Sequence, residues 1–135
     1  MTYDASIGRG DAAALSPEDV MGARSKRMAG VSNKPWGSIS QADYPTVEAY
    51  CGAGLINENT GPRSSWTKEN CKLPVHEPGG ALNANGVHAA AARLAGAGGG
   101  VHASPAAKKA AARKLIGHYR TLGEPAPDSI RRMAG

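Results

Sequence analysis

Residues 71–96 read CKLPVHEPGGALNANGVHAAAARLAG, and residues 104–135 read SPAAKKAAARKLIGHYRTLGEPAPDSIRRMAG. The second stretch carries helix punctuation at both ends. Ser104 can cap, Pro105 suits a first helical position that needs no N–H, and Gly123 stands where a left-handed C-cap belongs. Between them Ala107, Ala111, Leu115, Tyr119 and Leu122 recur at helical spacing as an apolar seam, while Lys109, Arg113 and Arg120 gather on another face. In the first stretch Asn85 can cap a helix over 86–96 whose Val87, Ala90, Ala91 and Leu94 form one stripe. Gly98-Gly99-Gly100 breaks that helix. Small alanines let two such helices approach closely, which predicts a helical hairpin. Pro127-Asp128 then opens a terminal turn or short helix reaching Met133.

Upstream the pattern changes. Residues 46–53, TVEAYCGA, suggest a short helix, and Leu55-Ile56 a short extended piece. Residues 57–70, NENTGPRSSWTKEN, are rich in turn formers and read as a surface loop. Cys71-Lys72-Leu73-Pro74-Val75 alternates and can pair with residues 54–57, with Pro74 confining it to an edge. The result is a small β-ribbon closed by a turn at Glu77-Pro78-Gly79-Gly80. Residues 1–33 form a polar, Gly- and Ala-rich arm with one helix, capped by Ser16, begun by Pro17 and stopped at Gly30. Its only bulky apolar residues are Val20, Met21 and Met28, so this arm is expected to gain order by docking. The fold class that follows is mainly α, a small helical hairpin module with a minor β-ribbon and an extended N-terminal arm. Its parts are the arm at 1–33 and a compact domain at 34–135, mixed up to residue 80 and helical beyond.

Composition limits what such a domain can do alone. The 135 residues include 18 glycines and no phenylalanine, and an alanine-heavy apolar fraction buries little side-chain area. A larger binding surface would offset that shortfall. The charge is uneven: four basic and four acidic side chains in residues 1–33, four and five in 34–80, eight and two in 81–135. The net charge of +5 is therefore a C-terminal property, suited to DNA, an acidic protein surface or water. The start, MTYDASIGRGDAAALSPEDV, lacks the basic and apolar regions of a secretory signal, and no apolar run approaches the roughly 20 residues that span a bilayer. Neither export nor a membrane partner is expected, and assembly is placed in a reducing cytoplasm.

Several blocks in this order carry a resemblance. They are Lys34-Pro35-Trp36, Ala42-Asp43-Tyr44, Cys51, Leu55-Ile56, Cys71 to Val75, Glu77-Pro78-Gly79-Gly80, Leu82-Asn83, Asn85 to Ala91 and Lys108 to Leu115. Over residues 34–135 the chain resembles a small helical module of head proteins in tailed bacteriophages of actinobacteria, appended there to prohead proteases and capsid proteins or standing as a separate virion protein. The resemblance implies a virion structural protein, a minor capsid or decoration protein that binds and stabilises the lattice of the major capsid protein beside other copies of itself. The protease domain of the fused relatives has no counterpart here, so no enzyme is expected. The alternative is an internal head or scaffold-associated protein that meets packaged DNA through Lys109, Arg113 and Arg120, a reading weakened by the lack of aromatics interleaved with those cations.

Candidate sites follow from these readings. Trp36, Tyr44 and Trp66 are the largest anchors for a capsid partner, together with Val20, Met21 and Met28 of the arm. Trp36 and Tyr44 equally suit the core of a small domain. Cys51 and Cys71 read first as buried free thiols, and alternatively as a pair across the ribbon that oxidises after particle release. With His76 and His88 they follow the order C-x19-C-x4-H-x11-H, which lacks the close pairs of a zinc knuckle, so no metal and no cofactor is expected. Cys71 and His76 form the sole sequence-local nucleophile–base pair, without a surrounding motif. The GAGGG stretch lacks the Lys-Ser/Thr of a phosphate loop and reads as a connector.

Overall fold

The computed structural model describes residues 30–135. The chain enters as a two-residue strand, β1 (Val31–Ser32), and passes through short 3-10 turns to α1 (Val47–Ala53). Strands β2 (Gly54–Asn57) and β3 (Cys71–Pro74) flank the loop, and β4 (Leu82–Asn83) leads into α2 (Ala84–Leu94), α3 (Pro105–Leu122) and α4 (Asp128–Ala134). The fold is mainly α with small two-stranded sheets. The ribbon pairs antiparallel as read from the sequence, with Gly54 opposite Pro74 and Ile56 opposite Lys72. A Cβ on Gly54 would lie 2.9 Å from the Lys72 carbonyl oxygen, so only glycine permits this approach.

Local chemistry fixes the helix ends. Thr46 accepts from the Ala49 N–H at 3.0 Å to start α1, and Ser104 accepts from the Ala107 N–H at 3.1 Å to start α3 with Pro105 at its first turn. Gly123, at φ 74°, ends α3, and the N–H groups of Gly123 and Glu124 return to the carbonyls of Arg120 and Tyr119. At α2 the expectation fails by two residues. Asn83, not Asn85, is the cap: its backbone is still extended and its Oδ1 accepts from the Gly86 N–H at 2.8 Å. Asn85 lies inside the first turn and donates instead to the carbonyls of Asn33 and Lys34.

Helix α3 is the centre of the main core, packed against α2, α4 and β2. Leu115 and Ile130 are fully buried there, with Val87, Ala90, Ala91 and Leu94 from α2 and Leu55, Ile56 and Val75 from the ribbon. The stripe on α2 and the seam on α3 therefore point where their periodicity put them. A satellite core holds Tyr44, Tyr50, Cys51, Ala53 and Cys71 beneath the loop.

The boundary between arm and body also shifts. Residues 31–33 belong to the body, because β1 pairs in parallel with β4, Val31 opposite Leu82, and Val31 packs on the main core. The expected helix before Gly30, with Val20, Met21 and Met28, lies outside the described residues. Among the described residues no helix is long and apolar enough to cross a membrane.

Candidate functional site

The block Glu77 to Val87 holds the body together around one buried amide. Asn83 has no solvent exposure, and its Nδ2 donates to Glu77 Oε2 at 2.7 Å and to the Lys34 carbonyl at 3.1 Å. Hydrogen bonds from the Ser32 hydroxyl and from Asn83 hold the Glu77 carboxyl below its ordinary range, against the opposing effect of burial. Lys34 Nζ stands 3.8 Å from the other carboxylate oxygen. This network straps residues 32–34 onto the start of α2 and so places Trp36. The Trp36 ring lies against Gly86, where a Cβ would come within 3.0 Å of it.

Trp36 forms one wall of an open groove of about 560 Å³. Its apolar lining includes Tyr50, Leu73, Pro74, Ala89 and Val101, and its polar rim carries Gln41, Glu69, Lys72, Arg93 and His102. Leu73 has φ 60°, the one positive-φ residue besides glycine among those described. A left-handed leucine costs of order 1–3 kcal/mol. Regular alternation would bury Leu73 beside Cys71 and Val75. With its kinked backbone Leu73 is only half-buried, packed on the main core with part of its surface lining the groove.

The sequence-derived anchors separate. Tyr44 is buried in the satellite core, edge-on to Tyr50 at 5.1 Å, and its hydroxyl donates to the His76 carbonyl at 2.5 Å. Its side chain serves the fold, which corrects its assignment to a partner surface. Trp66 is half-buried, packed against the same cluster, and its indole N–H donates to the Gly61 carbonyl at 3.3 Å. Trp36 keeps a face in the groove.

The basic face of α3 is also thinner than its spacing implied. Lys109 and Arg120 are exposed, but Arg113 Nε donates to the Ala134 carbonyl at 3.0 Å and so caps the end of α4. Neighbouring Lys114 reaches across to the Leu55 carbonyl at 3.2 Å.

Cys51 and Cys71 form a disulfide, which overturns the reading as free thiols. Cys51 stands in the last turn of α1, so the bond ties that helix to β3 instead of crossing the ribbon. Asn59 Nδ2 lies 3.2 Å from Cys71 Sγ and 3.7 Å from Cys51 Sγ, and Asn59 Oδ1 accepts from the Thr67 N–H at 2.9 Å. The loop is thereby pinned over the bond. His76 meets His118 at 5.5 Å between ring centroids, whereas His88 bonds Glu124 at 2.8 Å. The four residues considered as metal ligands thus fall into three separate environments. Among the described residues no group of three or more His, Cys, Asp or Glu is placed to hold a metal ion.

Sequence reading missed His118. Burial lowers its pKa, with smaller contributions from His76 and Lys114. His76 Nδ1 is buried with no hydrogen-bond partner. The spacing of His118 on α3 gave no sign of this pairing, because His76 comes from a distant turn. No protein-family model, no curated protein and no solved structure matches the chain.

Proposed function

We propose that this chain is a phage virion structural protein, a minor capsid or decoration protein that binds and stabilises the lattice of the major capsid protein. The family in this reading rests on the resemblance of the sequence blocks to the phage head module. The observation that carries the adhesive role is an open groove with a half-buried apolar lining whose rim carries Lys72 and Arg93 against one carboxylate, Glu69. The body is a hairpin of α2 and α3 buttressed by α4 and the ribbon, and the segment before β1 is the arm that reaches neighbouring subunits through Val20, Met21 and Met28. Linking two weak contacts through one chain raises avidity without new chemistry. The disulfide at Cys71 removes the one sequence-local candidate nucleophile.

Co-sedimentation of the full chain with expanded capsids that lack it tests the reading. Saturable association at a fixed ratio to the major capsid protein is expected, and a chain that stays in the supernatant overturns it. Exposed Lys109 and Arg120 favour one rival, an internal head protein on packaged DNA. That rival requires DNA binding that falls steeply with salt.

A further inference from the structure

We infer that the groove between Trp36, Leu73 and α2 is the docking site for an acidic, extended segment of a capsid subunit that carries one large aliphatic side chain. The inference rests on the capsid-binding reading for the identity of the partner and on the groove itself for its chemistry.

Three observations define the occupant. The lining is apolar and half-buried at Trp36, Leu73, Pro74 and Val101, a surface that gains by covering an aliphatic group. The rim carries two cations, Lys72 and Arg93. Lys72 Nζ donates to the Glu69 carbonyl at 3.2 Å and Arg93 Nη2 to the Gly100 carbonyl at 3.0 Å, so both cations are held in place by neutral partners and neither meets a carboxylate among the described residues. Only Glu69 opposes them on the rim. Carboxylates on the occupant would complete this pattern and steer its approach. Third, Leu73 holds a left-handed backbone while its half-buried side chain packs on the main core and lines the groove. Strain of this kind persists where surrounding structure enforces it, and it clusters at sites that clamp a ligand. Arg93, on the last turn of α2, is braced against the glycine connector, so the rim geometry exists before the partner arrives.

The test uses two blocked pentapeptides of sequence DDLDD and KKLKK, titrated into the isotopically labelled full chain and followed by NMR. With DDLDD, saturable shifts are expected at the Trp36 indole and at Leu73 and Arg93, while the Trp66 indole stays put. KKLKK should bind at least about tenfold more weakly, and Arg93→Glu should weaken DDLDD by about tenfold. Lys72→Glu provides a second rim variant should Arg93→Glu fail to fold. Equal binding of both peptides, shifts confined to Lys109 and Arg120, or unchanged affinity in a folded rim variant overturns the inference. Capsid co-sedimentation separates the two readings. Capsid binding that survives Arg93→Glu removes the groove and leaves the decoration role, whereas DDLDD binding without capsid binding removes that role and leaves the groove.

Discussion

Asn83 shows how much a single side chain can be asked to do. It caps α2, bonds a buried carboxylate and holds the strap that delivers Trp36, and these three bonds use the amide in both directions. Asn83→Ala removes the cap, worth about 1 kcal/mol, and deprives Glu77 of a donor while it stays buried, worth a further 1–3 kcal/mol or so. A loss of about 2–4 kcal/mol is therefore expected in urea denaturation. Because the strap is released as well, the Trp36 emission should shift to the red under native conditions. Loss of stability with unaltered Trp36 emission would contradict the coupling of cap and strap.

Elements differ in how far their own sequence determines them. Ser104, Pro105 and Gly123 bound α3 through bonds no more than a few residues long, which is why both ends of that helix are legible in the chain. The ribbon was legible too, because alternation and a turn-rich loop are local signals. Pairing of β1 with β4 was not: two residues meet two others some 50 positions away, and Val31-Ser32 carries no pattern long enough to announce it. The groove was legible only in part. Trp36 stood out as a large aromatic, but the backbone of Leu73 reflects the tertiary surroundings of β3. The disulfide belongs to this scale as well, since it joins α1 to β3 across a sequence separation of 20. Closing a loop of this length stabilises by about 3 kcal/mol through the unfolded chain. A Cys51→Ala, Cys71→Ala double variant should lose about that much, and its hydrogen exchange should accelerate in residues 58–70 and α1 more than in α3 and α4. Uniform acceleration would instead mean that the satellite and main cores unfold as one.

At the scale of the whole molecule, five groups among the described residues shift how stability varies with pH. His118 has a folded pKa below its ordinary 6.5, chiefly through burial, with His76 and Lys114 adding to the effect. The unfolded chain therefore binds the proton first, so this contribution is complete above about 6.5 and is lost as pH falls through the lowered value. Glu77, held below its ordinary 4.5, adds a second loss further into acid, again because the unfolded state takes up the proton before the folded one. Tyr44 acts at the other end. Burial first, then Tyr50, Glu77 and Asp43, push it up to about 12 from 10.0. Its stabilisation is complete below 10.0 and declines as pH rises towards 12, because the unfolded tyrosine ionises first. Tyr50 and Tyr119 are raised as well and steepen the same alkaline limb. In a thermal melting profile these groups should add a first descent below pH 6.5, a second below 4.5 and an alkaline descent above 10. His118→Gln should flatten the first descent and leave the alkaline limb in place, while Tyr44→Phe should soften the alkaline limb alone. A His118→Gln profile that still falls between pH 6.5 and 5 with the original slope would assign that loss to another group.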